Sequence, residues 1–371
     1  MRILYGIQGT GNGHITRARA MAPALAAAGL AVDYLISGRD RARLFDMDPF
    51  GDFDHRDGLT FAVREGRISS WHTLVEARPL LFVRDIRQLD VSGYDLVLTD
   101  YEPVTAWAAR LKQKRVIGLG HQYAFRYPVP QYRNGPVQQA LMTRFAPADQ
   151  HLGLHWHHFG QPILPPIAPV GGHPVSQEKG LIVVYLPFES TATIAALLAP
   201  FERHRFHIYH PDSPLPGQGL DHLQWHRPSR EGFQADLHRC AGVICNAGFE
   251  LASETLQLGK KLLVKPVAGQ PEQYSNALAL DLLGYGYTMS ELNRDKVDRW
   301  LASGCATRIV YPDVAAAICQ WLKEGAREPI QALSDRLWRQ TELPDLTAQT
   351  RTDHDLRAPP ATSSPGRLSN G

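Results

Sequence analysis

The chain has 371 residues, of which 44% are hydrophobic and 20% charged, with a formal net charge of +2. That length exceeds one ordinary core and suits two α/β domains, and the near-neutral balance gives no sign of a nucleic-acid partner. Four cysteines (Cys240, Cys245, Cys305 and Cys319) without a Cys-x-x-Cys pair read as reduced, buried thiols of a cytosolic protein.

Met1-Arg2-Ile3-Leu4-Tyr5-Gly6 runs straight into a strand-like segment and lacks the longer apolar stretch and cleavage site of a signal peptide. No run of about 18 apolar residues occurs. The expected location is the cytoplasm, with peripheral contact at the inner face of a membrane left open. Residues 2–7 predict a strand, Thr16–Ala28 an Ala-rich helix stopped by Gly29, and residues 30–37 the next strand. Residues 95–99 and 115–119 repeat the strand pattern around a helical run, Pro103–Lys112. Strand–helix–strand order of this kind predicts a parallel, doubly wound sheet.

Prolines and glycines crowd the stretch from Gly160 to Glu178, which is read as a linker between an N-terminal domain (1–159) and a C-terminal domain (179–341). The second series alternates strands 181–186, 206–209, 242–245 and 261–265 with helices 191–201, 230–239, 249–258 and 270–283. Residues 342–371 lose all periodicity and read as a disordered tail. The stretch Trp71–Leu89 is basic and amphipathic; core packing is its default, and contact with a lipid-linked acceptor at an anionic surface is the sharper alternative. His151, His155, His157 and His158 crowd the end of the first domain without an acidic or thiol partner nearby, so no metal site is assigned.

Two constellations carry chemistry. The first, Gly9-Thr10-Gly11-Asn12-Gly13-His14-Ile15-Thr16-Arg17, stands at the first strand-to-helix turn, where ligands bind on parallel sheets. Gly11 and Gly13 leave backbone uncrowded, and His14 can take a proton from a hydroxyl near neutral pH. The second begins with Cys245-Asn246-Ala247-Gly248-Phe249-Glu250 and continues to Glu254, then Lys265-Pro266 and Gly269-Gln270-Pro271-Glu272-Gln273. A helix opening at Gly248 offers free N–H groups to a diphosphate. Glu254 is placed to accept ribose hydroxyls, and Glu272-Gln273 lies one loop further on, within reach of a sugar. His121, after the strand ending at Leu119, is a further candidate contact on the rim beside His14.

These residues resemble the donor-binding motif of GT-B nucleotide-sugar glycosyltransferases, including the plant UDP-glycosyltransferases and the bacterial peptidoglycan N-acetylglucosaminyltransferase. Gly248-Phe249 precedes Glu254 at the spacing of the plant Gly-Trp pair and its ribose-binding Glu, and Glu272-Gln273 is similar to the plant Asp-Gln pair that binds the sugar. The Gly-His loop is similar to the site of the catalytic His in those families. Asp100, at the end of Leu98-Thr99-Asp100, is placed like the Asp that orients it. The whole pattern also resembles a bacterial and archaeal subgroup of predicted glycosyltransferases with G-x-G-x-G-H-x-x-R and G-x-x-E-Q-x-x-N-A signatures.

The resemblance implies an α/β fold of the GT-B type, two Rossmann-like doubly wound domains facing across a cleft. It implies inverting transfer of a hexose-type sugar, without metal or cofactor, from a UDP-sugar to a hydroxyl of a glycan, lipid-linked or small-molecule acceptor. His14 would be the base and Asp100 its partner. Phe233, within the segment 228–234 assigned to the base, would join Asn246, Gly248, Phe249, Glu250, Glu254, Glu272 and Gln273 around the donor. Two departures stand out: Asn246 replaces a phosphate-binding His, and Glu250 replaces an Asn beside the expected diphosphate. Residues 13–17 also resemble the UDP-sugar hydrolase of pseudaminic acid synthesis. A 2-epimerase of UDP-N-acetylglucosamine and a non-catalytic nucleotide-sugar-binding subunit stay open as rivals.

Overall fold

The computed structural model describes residues 1–59, 63–64, 67–68, 79–132, 142–168, 174–213, 220–304 and 306–344. Residues 71–78 of the amphipathic stretch, 169–173 of the linker, Cys305 and 345–371 of the tail lie outside the described residues.

The N-terminal sheet contains β1 (Arg2–Gln8), β2 (Ala31–Ser37), β3 (Asp54–Arg56), β4 (Leu96–Asp100), β5 (Val116–Gly120) and β6 (Gln150–Gly153). The C-terminal sheet contains β7 (Leu181–Tyr185), β8 (Arg205–Tyr209), β9 (Leu223–His226), β10 (Gly242–Asn246), β11 (Lys261–Lys265) and β12 (Tyr287–Thr288). Both are parallel and share one order, with the third strand at one edge, the first beside the fourth, and the sixth at the other edge. This is the doubly wound arrangement, and the reversal between first and fourth strands opens a crevice at their carboxyl ends. The strands that line it are apolar on both faces because helices cover both, as parallel sheets require.

Helix α1 (Asn12–Ala27) begins four residues before the predicted start, with Gly11 as N-cap. Asn, Gly and His are weak helix formers, so local propensity hides this turn. It is held by tertiary bonds instead: Asn12 Nδ2 donates to Tyr185 Oη (3.0 Å), Arg39 donates to Asn12 Oδ1 (2.8 Å), and the His14 ring meets Asp100. Helix α2 (Pro79–Gln88) divides its apolar residues: Phe82 and Ile86 pack on the sheet, while Leu80 is 86% exposed. Helix α3 (Pro103–Leu111) starts on the buried Glu102 carboxylate, which accepts from the Val104 and Thr105 N–H groups and from Ser37. That cap fixes the end of β4, where Tyr101 turns through a positive φ of 53°.

In the second half follow α4 (Thr191–Leu198), α5 (Arg230–Arg239), α6 (Phe249–Gln257), α7 (Pro271–Leu282) and α8 (Arg294–Ala302). The last two helices, α9 (Val314–Lys323) and α10 (Ile330–Gln340), return to the first half. Helix α9 packs on α1, and both Ser334 Oγ and Trp338 Nε1 of α10 donate to the Ile163 carbonyl (2.7 Å each).

The halves therefore share one core. Trp156, fully buried, donates from Nε1 to Ser253 Oγ of α6 (2.9 Å) and lies against the Phe249 ring. Replacing Trp156 with Ala should cost about 3–5 kcal/mol, the range for emptying a large aromatic site, measured by denaturant unfolding. A loss under about 1 kcal/mol would mean that the interdomain core does not depend on this ring.

Candidate active site between the two sheets

A cavity of about 1430 Å³ opens between the carboxyl ends of the two sheets. In the register of the first sheet Ile7 of β1 lies beside Asp100 of β4, so the carboxylate stands next to the loop that leads into α1. His14, in the first turn of α1, brings Nδ1 to 2.7 Å from Asp100 Oδ1. With the proton on Nδ1 facing that anion, Nε2 is the basic nitrogen, and it has no partner among the described residues. The ring lies parallel to Tyr101.

Arg17, one turn after His14 on the same face of α1, completes the arrangement. Its Nε donates to Asp100 Oδ2 (2.8 Å), Nη2 donates to Asp100 Oδ1, and Nη1 crosses the cleft to Glu250 Oε1. Tyr5 Oη donates weakly to the same Asp100 oxygen as Nε (3.4 Å). Burial pushes the Asp100 carboxyl upward, but Arg17 and the His14 contact outweigh it and hold it below the usual carboxylate range. Burial pushes Glu250 up to about 8 against the pull of Arg17. Gly13 makes this approach feasible, since a Cβ there would sit 3.2 Å from Glu250 Cγ.

On the C-terminal side Gly248 is the N-cap of α6, with open space in front of its Cα and no side chain capping the helix. Its first N–H groups therefore face the cavity. Gly11 caps α1 in the same way. Glu254, about a turn and a half into α6, accepts from Gln234 Nε2 (2.9 Å), and its carboxyl is raised by burial. Phe233, on the first turns of α5, packs edge-on against Tyr185 and Tyr209 at the cavity wall. Asn246 ends β10 with Nδ2 donating to the Lys265 carbonyl (3.0 Å), so its donor is engaged, while the buried Oδ1 has no partner.

Four further expected residues face inward or across the cleft. Phe249 is 4% exposed and stacks face to face on His121 at 4.0 Å, inside the interdomain core. His121 is itself buried: Nδ1 donates to the Leu154 carbonyl (2.8 Å) and Nε2 lies 2.6 Å from Asn276 Oδ1 of α7. Its position is an interdomain bridge rather than a free rim. Gln273 Oε1 accepts the Val267 N–H (2.9 Å), and the Glu272 carboxylate receives Gln122 Nε2 at 3.1 and 3.2 Å. The sequence reading gave no role to Arg17, Gln122 or Asn276. For Arg17 the signal was present, since a residue three positions after His14 shares its face on a helix.

Among the described residues, three metal-type side chains gather only at His207, His226 and Asp236, with ligand atoms within 4.8 Å of one another. There Asp236 Oδ1 is occupied by Arg239, and Oδ2 accepts from Tyr209 and contacts His207. No described helix is long and apolar enough to cross a membrane.

Two facing doubly wound sheets form the GT-B fold, and their shared crevice holds a helix N-terminus and the His14–Asp100 pair. The profile of glycosyl transferase family 1 matches residues 1–145 and 163–303, and the protein belongs to that family. No curated protein matches the sequence. Among solved structures the chain is similar to the glycosyltransferase SnogD from Streptomyces nogalater, at 18% identity and a TM-score of 0.55, covering 92% of this chain and 99% of that one. It is also similar to LpCGTa, solved in complex with UDP (16%, 0.55, 91% and 98%). A third is UGT2 of Phytolacca americana, solved with UDP-2-fluoro-glucose and pterostilbene (14%, 0.55, 91% and 94%). At these identities the likeness concerns the fold.

The aromatic–histidine seam between the domains generates a pH prediction. Burial, above all, holds His155 well below its ordinary 6.5, and its Nε2 has no partner. Unfolded chains bind this proton below about pH 6.5 while the folded chain does not, so stability is retained above that pH and lost as pH falls. The melting temperature should decline from pH 7 to pH 5, and His155→Asn should make the decline shallower. Identical slopes would remove His155 from the acid sensitivity.

Proposed function

We propose that the protein transfers a hexose-type sugar from a UDP-sugar to an acceptor hydroxyl with inversion and without a metal ion. The observation that carries this reading is the meeting of His14 and Asp100 from one sheet with the α6 N-terminus from the other, in a single cavity.

In this reading the diphosphate lies at Gly248 and the first turn of α6, where free N–H groups and the helix dipole offset its charge and that of the departing UDP. The ribose hydroxyls bond to Glu254, and the base lies near Phe233. The sugar reaches toward Glu272 and Gln273 and so comes between α7 and the 121–122 turn. His14 Nε2 takes the acceptor proton while the acceptor oxygen bonds to the anomeric carbon and the carbon–diphosphate bond breaks on the opposite side. Asp100 keeps the ring in the required tautomer and stabilises it once charged. A single displacement of this kind inverts the anomeric centre.

The likeness in fold to LpCGTa, solved with UDP, and to UGT2, solved with a fluorinated UDP-glucose, supports a UDP-linked donor. The described cysteines are free and buried, in keeping with a reducing cytoplasm.

UDP should bind in the presence of chelator, and Glu254→Ala should weaken that binding by roughly 1–3 kcal/mol, measured by calorimetry. Loss of all UDP binding in chelator would refute metal independence. With donor and acceptor in hand, His14→Ala should reduce turnover roughly 10²–10⁴-fold while leaving UDP affinity near wild type. Asp100→Asn should lower turnover through the same ring. Full turnover by His14→Ala would exclude it as the base.

A further inference from the structure

His14 and Arg17 of α1, Asp100 of β4 and Glu250 of α6 form one buried knot where the two domains touch. The side chains of Arg17, Asp100 and Glu250 are 2%, 0% and 9% exposed. Glu250 is the second residue of α6, in the turn assigned above to the diphosphate. Its Oε1 accepts from Arg17, whereas Oε2 has no partner among the described residues, and the side chain lines the cavity.

The charges of the knot can be counted. Arg17 is a cation and Asp100 an anion, and a His14 ready to accept a proton is neutral. An ionised Glu250 would leave a net negative charge in a place shielded from water, beside an incoming dianion or trianion. A protonated Glu250 leaves the knot neutral and turns Oε2 into an O–H donor.

On the donor-site reading above, we propose that Glu250 works as a neutral carboxylic acid, donating an O–H···O hydrogen bond from Oε2 to the donor diphosphate. No bond of Glu250 breaks in the step. The acceptor proton goes to His14, and the diphosphate departs with the electron pair of its bond to the sugar while held by this donor and by the α6 N–H groups. The groups facing Glu250 are Arg17 and His14 from α1, Asp100 from β4 and Glu254 from its own helix. Burial raises its proton affinity most; Asp100 and Glu254 add to this and Arg17 opposes it. Gly13 leaves room for this side chain, since a Cβ there would come within 3.2 Å of Glu250 Cγ.

UDP binding to the full chain, measured by calorimetry from about pH 6.5 to about pH 9, tests the proposal on wild type, Glu250→Gln and Glu250→Ala. At pH 7 the Gln variant should bind UDP within about threefold of wild type, because its amide keeps a neutral donor and an acceptor for Arg17; Ala should bind roughly tenfold more weakly. Above about pH 8 wild-type affinity should fall with uptake of one proton per UDP, read from buffers of different ionisation enthalpy, and the Gln variant should show neither. Tightening of more than about tenfold by Gln at pH 7 would mean an ionised Glu250 in the wild type and overturn the proposal. Parallel pH curves for wild type and Gln would overturn it as well. Wild type that binds no UDP would overturn this proposal and the donor site together, whereas contrary pH behaviour with UDP bound overturns this proposal alone. Should the Ala variant fail to melt cooperatively, the comparison of wild type with Gln decides.

Discussion

The arrangement of the cleft depends on one buried guanidinium. Arg17 binds both oxygens of Asp100 within its own domain and one oxygen of Glu250 in the other. A charge so enclosed is tolerated only because carboxyl groups surround it, and removing one partner of such a group typically costs about 3–5 kcal/mol. The same contacts put Asp100 in place for His14 and pull the first turn of α6 toward α1. The interface and the His14–Asp100 pair are thus built from the same atoms.

Other cross-cleft contacts flank this knot. On one side Asn12 reaches Tyr185; on the other His121 reaches Asn276 and Gln122 reaches Glu272. Behind them Trp156, Phe249 and His121 pack as a dry seam, and α10 returns to the Ile163 carbonyl. Polar bonds at the mouth and aromatic packing behind hold the sheets facing each other while leaving the mouth open to a ligand. Hinge motion between the halves would have to break these bonds.

Much of the fold could be read directly from the chain. The central strands β1, β4, β7, β10 and β11 are short apolar runs covered by helices on both faces, and their composition alone marks them. The edge strands β3, β6, β9 and β12 escaped because each pairs with one neighbour only and is short, with polar residues such as Asp54-His55-Arg56 and Gln150-His151 that carry no apolar strand pattern. The Gly-His loop, Asp100 and the α6 N-terminus were legible because motif and strand end coincide there. Phe249, Gln273 and His121 were placed in the right segments, but the direction of each side chain depends on helix phase and on the opposing domain. The Arg17–Glu250 contact joins residues 233 positions apart, and no local pattern encodes it.

The central claim is that these contacts frame a nucleotide-sugar site at the start of α6. A crystal structure of the protein with UDP is its most direct test. The account predicts the diphosphate against the N–H groups after Gly248, the ribose on Glu254, and His14 still beside Asp100 across the cleft. UDP bound against the N-terminal sheet, or anywhere away from the α6 N-terminus, would contradict it.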